Sequence, residues 1–420
     1  MTYRTRELMN LMVVGLLTAI GFTSVYVARQ DVVSTGSLSY ALIFFALYVA
    51  AHLIARVSVP YADPYLLPMA MLLTAVGVTE IYRLDPDDAF RQGLWVVIGV
   101  SLFALTLLLL RHDYRRLESY KYIFGICAVG LLALPALPGI GQTVNGARLW
   151  VDLGPLSFQP GEFAKIMLIV FLAAYLRDKR EVLAQGRIKD FGPLLLIWGG
   201  AMLVLFQTND LGSGLLYFGI FLAMVYVATG RAWFVLAGAG LFLAGAAAIY
   251  TVVPHVRDRV SAWLDPWSDA EGDGFQLIQS LYSIGNGSFP GTGLGEGTVQ
   301  TTDGAPLIPF AKTDFIYSVL AQELGLIGAA ALLLVYMLFA LRGFRVAMMA
   351  QDGFSKLLAV GLTFGFALQT FIILGGILRL IPLTGITLPF VSYGGSSVVA
   401  NFMLLAGLML VSSRANAPPR

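Results

Sequence analysis

"WLDPWSDAEGDGFQLIQS", Trp263 to Ser280, packs four carboxylates into a few residues: Asp265, Asp269, Glu271 and Asp273. The 420 residues around it are 58% hydrophobic and only 12% charged. That is about half the charge of an average soluble domain. Such a chain belongs in a lipid bilayer, and the acidic stretch is then a polar island between spans.

Working outward, a bilayer core takes roughly 20 apolar residues in a helix. Twelve apolar runs qualify, at about 8–28, 38–56, 65–82, 92–110, 121–139, 163–176, 191–206, 213–229, 233–253, 315–341, 357–377 and 397–414. The first follows Arg4 and Arg6 as a signal peptide would. No small-residue cleavage site closes it, so it is expected to remain as a helix. With the N-terminus placed inside, 18 of the 27 Lys and Arg fall on the cytoplasmic side and 8 outside, with Lys165 within a span. This asymmetry puts both termini in the cytoplasm. The expected fold is an all-α polytopic membrane protein of about twelve transmembrane helices. Residues 1–420 form a single membrane domain, with one long extracytoplasmic loop at about 254–314.

Other classes are disfavoured. The formal net charge of +2 suggests no nucleic-acid partner. A single cysteine, Cys127, can form neither an internal disulfide nor a Cys-based metal site. The three histidines, His52, His112 and His255, lack zinc-site spacing.

Three readings of the acidic stretch compete. It is a solvated loop, a calcium site or a catalytic centre. "DAEGDG" imitates an EF-hand start, but Glu271 stands at position three and Ser280 at position twelve, where a bidentate Glu belongs. For catalysis, Trp263, Trp267 and Phe275 bracket Asp269 and suit a partly buried site. Apolar neighbours and like charges would raise a carboxyl's proton affinity toward that of a general base. The residues alone do not say which acid that is. Downstream, "GNGSFPGTGLGEG", Gly285 to Gly297, is either a flexible loop or a backbone cradle for an anion.

Charges also sit at membrane depth. Glu162 and Lys165 share a helix face, either as a local ion pair or with Lys165 meeting an anionic group from the lipid. Arg148 lies outside, as an anion-binding residue or a headgroup anchor. Asp210, Lys312 and Asp314 stand at outer span edges, and "RLIPLTGITLPFVSYGGSS", Arg379 to Ser397, reads as a re-entrant loop. Together they suggest a polar cavity opening outward.

The motifs "NGARLWVDLGPLSFQPGEFAK", "NDLGSG", "WLDPWSDAEGDGFQLIQSLYSIGNGSFPGTGLGEG", "KTDFIYSVLAQELG" and "PLTGITLPFVSYGGSS" occur in this order. In them the chain resembles the SEDS family (shape, elongation, division and sporulation), over about residues 65–414. Ten spans are usual there, so 8–56 would be two extra N-terminal helices. The resemblance implies a peptidoglycan glycosyltransferase that polymerises lipid II at the outer face of the bacterial cytoplasmic membrane, for elongation or division. Its implied partner is a class B penicillin-binding protein. A lipid II flippase that makes no bonds is the competing reading, and a scaffold the third.

By motif position, the family's catalytic aspartate falls on Asp269. Three departures accompany it: Ala270 where Pro is usual, Phe275 where Tyr is common, and Lys312 where His is common. Arg148, Lys165 and Lys312 would face the pyrophosphate, with Glu162, Asp210, Asp314, Ser392 and Tyr393 completing the substrate site. A divalent cation, Mg or Mn, is an optional aid rather than a required cofactor.

Overall fold

The computed structural model describes residues 2–30, 35–144, 147–152, 157–184, 192–298 and 307–418. Each of the twelve apolar runs lies almost wholly in helix. They are α1 (Tyr3–Gln30), α2 (Thr35–Ser58), α3 (Leu66–Leu84), α4 (Pro86–Leu110) and, after the single turn α5 (Arg116–Ser119), α6 (Lys121–Ala133, extended by a short 3-10 turn). Then come α7 (Pro160–Ala184), α8 (Gly192–Gln207), α9 (Leu211–Thr229) and α10 (Ala232–Val252). The last three are α13 (Ile316–Met349), α14 (Gly353–Ile377) and α15 (Gly395–Ala415). Among the described residues, nine of these helices are long and apolar enough to cross a membrane, while α6 and α8 are shorter. The charged tail of α7, from Arg177 onward, continues a helix whose apolar part is short.

Local chemistry sets the helix ends. Asp85 accepts from the N–H groups of Asp87 and Asp88, and Pro86 opens α4. Asp210 caps α9 through the Ser213 N–H, and Gly230 closes it in the left-handed conformation. Asp352 caps α14 through Ser355.

The core centres on α15, with 89% of its apolar window buried, and on α14 and α3, each 78%. The extra pair α1 and α2 packs on α3 and α4. By contrast α10 has none of its window buried and touches mainly α9 and the short helix α11 (Pro254–Leu264).

Two details join the expected all-α polytopic fold. β1 (Gly141–Val144), β2 (Ala147–Asp152) and β3 (Ser157–Phe158) form a small antiparallel sheet before α7. The long 254–314 connection has elements of its own. It holds α11, a 3-10 turn over Pro266–Asp269, and α12 (Phe275–Gly287). A short amphipathic helix lacks the long apolar run by which spans are found, so both helices escape a count of spans.

Polar bonds between connecting segments fall into two sets. At one end Arg177 meets Glu118, Lys121 meets Asp178, Arg342 meets Asp63, and Arg414 meets Asp113. At the other, Lys312 meets Asp85 and Asp88, Arg148 meets Thr208, and Arg379 meets Trp263. The first set joins the segments rich in Lys and Arg, and the second joins the poor ones.

Candidate active site

The acidic turn is built by its own backbone. After α11, Pro266 starts the 3-10 turn that ends on Asp269. The Asp269 carbonyl accepts from Gly272 and Gly274 at 3.3 and 3.0 Å, and its Oδ2 accepts from the Asp273 N–H at 3.1 Å. The carboxylate lies so close to Gly272 that a Cβ there would come within 2.2 Å of Oδ2. All four acids are exposed. Asp269 was expected to be partly buried among aromatic rings, and the structure differs. Two of those rings serve as a clamp instead: Trp263 donates to the Arg379 carbonyl, and the Arg379 guanidinium covers Trp267 at 5.3 Å. Arg379 returns bonds to the carbonyls of Trp263 and Leu264, which ties the acidic turn to the segment after α14.

Beside this turn lies a polar pocket of about 290 Å³. His255, Asp258 and Arg259 of α11 line it, with Gly272, Asp273, Asp314 and Gly385. Burial pushes the Asp314 carboxyl up to about 6, against the pull of the Thr313 hydroxyl and of Arg259. Asp210, buried as the α9 cap, is also pushed up by burial, with Ser213 opposing. Arg259 opposes both upward shifts, and a Cβ at Gly385 would lie 3.8 Å from the Asp314 Oδ2 and 4.0 Å from the Arg259 Nη2.

The three cations expected at the pyrophosphate already have partners. Lys165 is 3% exposed and donates to Glu162 at 2.7 Å and to Gln369 at 2.6 Å. Gln369 continues to the Thr387 carbonyl, and Thr387 to Ser397, so Lys165 anchors a buried polar chain between α7, α14 and α15. Lys312 lies between Asp85 and Asp88. Burial lowers its proton affinity, but the two carboxylates outweigh that and hold the ammonium firmly charged. Arg148 sits on β2, donating to the Leu137 carbonyl at 3.0 Å, while its backbone N–H reaches Thr208. Ser392 and Tyr393 secure the re-entrant segment: the Ser392 hydroxyl donates to the Thr313 carbonyl, and the Tyr393 N–H donates to the Lys312 carbonyl.

A second cavity, about 870 Å³, lies between α8, α9, α10, α11 and α14. Its walls are apolar, from Trp198 and Phe218 to Phe242 and Phe371, and its polar end carries Asp210, His255 and Arg259. Arg259 lines both cavities. Sequence reasoning passed over it, counting it only as an outside charge. A signal was present, because His255, Arg259 and Trp263 recur at intervals of four and share one face of a helix.

The glycine-rich stretch does cradle an anion, but the anion belongs to the protein. The N–H groups of Gly295 and Gly297 bond the Glu323 carboxylate at 2.8 and 3.3 Å, and Arg83 pairs with the same group. Helix α13 breaks at Gly325 (φ 65°), and Thr292 and Gly293 donate to the freed carbonyls of Gln322 and Glu323. The EF-hand reading also fails on geometry. Ser280 is buried in α12 and bonds Ser318. Among the described residues no group of three or more His, Cys, Asp or Glu is arranged to hold a metal ion.

A polar pocket at a carboxylate-rich turn thus lies next to an apolar groove among the spans of a multi-pass membrane protein. A family model described as "Cell cycle protein" (FtsW, RodA and SpoVE) matches residues 61–417, and the chain belongs to that family. The peptidoglycan glycosyltransferase RodA of Mycobacterium tuberculosis is 41% identical over 440 residues, covering 100% of this chain and 92% of the relative. Stage V sporulation protein E of Bacillus subtilis is 36% identical, covering 82% and 92%. Among solved structures, a chain from a peptidoglycan synthase complex superposes with TM-score 0.71 at 31% identity, covering 84% of this chain and 98% of its own. Thermus thermophilus RodA gives 0.61 at 27%, covering 85% and 98%. The protein is a multi-pass protein of the bacterial inner membrane.

Proposed function

We propose that the protein is a peptidoglycan glycosyltransferase that polymerises lipid II into glycan strands at the outer face of the membrane, alongside a class B penicillin-binding protein. The observation that carries this is the pairing of the polar pocket at the acidic turn with an apolar groove of prenyl-chain character, bridged by Arg259. In this reading the 4-hydroxyl oxygen of the acceptor sugar attacks the donor's anomeric carbon. Asp269 takes the hydroxyl proton, the bond from that carbon to the lipid pyrophosphate breaks, and the pyrophosphate leaves with the electron pair. One displacement inverts configuration. Such base assistance is worth about 10²–10⁴-fold. The exposed Asp269 can receive a sugar without rearrangement of the core, and nearby cations offset the leaving group's charge.

The test uses the purified chain in detergent with labelled lipid II, with and without the transpeptidase and with and without Mg or Mn. Detergent has no two sides, so a flippase yields no polymer there. Polymer from the wild type, and its loss by about 10²-fold or more in Asp269→Asn, are expected. Undiminished polymer from Asp269→Asn would remove Asp269 from its role.

A further inference from the structure

Helices α1 and α2 lie ahead of residue 61, where the family match begins, and the glycosyltransferase reading gives them no task. Yet α1 is fixed at both ends. At its inner end Arg4 pairs with Glu7 at 2.5 Å, and Glu7 lies 2.7 Å from His52 Nδ1 on α2. Arg4 also donates to the Ala62 carbonyl between α2 and α3, and all three side chains are buried. Toward its outer end Phe22 stacks on Tyr40 of α2 at 5.7 Å, and both rings meet Tyr82 of α3. Buried charges with their partners in place resist displacement, because moving one strands another. Helix α1 is therefore a strut seated on the core.

The strut ends on the glycine-rich segment. A Cβ built on Gly295 (φ 93°) would lie 2.5 Å from the Ala28 Cβ and 3.5 Å from the Val25 Cα, so the loop backbone rests directly on α1. The same Gly295 donates its N–H to Glu323 of α13, and Arg83 of α3 bonds both that carboxylate and the Gly297 carbonyl. One residue back, the Gln322 side chain accepts from Ser283 of α12 at 2.9 Å, and Ser318 meets Ser280 of α12 at 2.6 Å. Gly274 caps the start of α12, and its N–H bonds the Asp269 carbonyl at 3.0 Å. We infer that α1 positions the acidic turn: Ala28, through its contact with Gly295, sets the seat of the glycine-rich segment and, through α13 and α12, the stance of Asp269. Ala28 touches no substrate and is a positioning residue. The inference rests on the glycosyltransferase reading for the reaction that it serves.

The experiment measures polymer formation from labelled lipid II by the full chain in detergent and, in parallel, amide hydrogen exchange. Ala28→Leu drives a branched side chain into Gly295. It should lower kcat about tenfold, as a small displacement of a catalytic group does, and leave KM for lipid II within about twofold. Exchange should quicken at Gly293, Gly295 and Gly297 and onward at Ile278 in α12, but not in α14. Gly295→Ala should act in the same direction. Adding Ala28→Gly to it removes the opposing Cβ and should return part of the lost rate. Leu16→Trp, on the exposed side of α1, should change neither readout.

Wild-type kcat in Ala28→Leu, a rise in KM alone, or a lowered rate with unchanged exchange at Ile278 would overturn the positioning role. If Ala28→Leu does not fold, the Gly295 variants decide: no recovery, in rate or in exchange, on adding Ala28→Gly overturns it. A wild type that makes no polymer counts against the enzyme reading, and exchange then decides alone. Quickening that reaches Ile278 leaves the strut standing, and quickening confined to 293–297 overturns it. A wild type that polymerises while Ala28→Leu turns over normally sinks this inference and spares the enzyme reading.

Discussion

The half of the bundle around α15 and the half around α10 use the same apolar alphabet to opposite ends. Around α15 the helices α3, α14 and α15 itself bury most of their surface, and buried charge is paired, as in the run from Glu162 through Lys165 and Gln369 to Thr387. Around α10 the helices stand apart, leave a large apolar groove, and hold a guanidinium, Arg259, whose hydrogen bonds go to carbonyls while the carboxylates of Asp210 and Asp314 act on it without bonding. Buried charge in the first half is architecture. Loosely held charge in the second is available for work. A charge's position along the chain does not separate the two, since both lie near the outer ends of spans; the partner list does.

Three perturbations sharpen or break this contrast. The largest effect belongs to Lys165→Ala. It leaves the Glu162 carboxylate without its cation and Gln369 without a donor, which should cost about 3–5 kcal/mol. Thermal unfolding in detergent should show a large fall, and a melting temperature equal to wild type would mean the dense half does not depend on that chain. Next is Gly325→Ala. The residue has φ 65°, and an added Cβ would lie 2.3 Å from the Gly291 nitrogen and 2.6 Å from the Phe289 oxygen, both backbone. A loss of about 1–3 kcal/mol is expected. It should appear in the same melting experiment, with faster amide exchange at Thr292 and Gly293; unchanged exchange would say that the glycine segment is not docked in the break of α13.

The smallest effect is a pH dependence in the open half. The Asp314 carboxyl, pushed up to about 6 by burial, is neutral well below that pH and anionic above it. Its anion competes with a bound pyrophosphate for Arg259, so affinity for the lipid pyrophosphate should fall as pH rises through about 6. The change should be about two- to fivefold, the scale of one solvent-screened charge contact. Asp314→Asn should flatten the step. The other charged or titratable groups lining the pocket are His255, Asp258 and Arg259 from α11 and Asp273 from the turn before α12. His255→Gln is therefore the control. A step that survives in Asp314→Asn would assign it elsewhere.

Much of the fold was legible. Twelve apolar runs became helices because a chain in lipid must satisfy its backbone within each span. The alternation of Lys and Arg is matched by two separate sets of polar bonds between connecting segments. The 3-10 turn and α12 were hidden, since short interfacial helices carry no long apolar run. The site was legible in outline: Asp269, Asp314, Asp210 and Lys312 do gather at one end of the bundle. Their partners were not. Nothing local in the sequence tells that Glu323 would occupy the glycine cradle, that Asp85 and Asp88 would claim Lys312, or that Trp263 would turn from Asp269 to Arg379.

By itself, then, the sequence determined that this chain crosses a membrane many times and carries acids on its sparsely basic side, because apolar length and charge asymmetry are local, additive properties. Only the tertiary structure decided which charges are spent and which are free. Ion pairing is a matter of a few ångströms between residues far apart in the chain, and those distances exist only once the helices have packed.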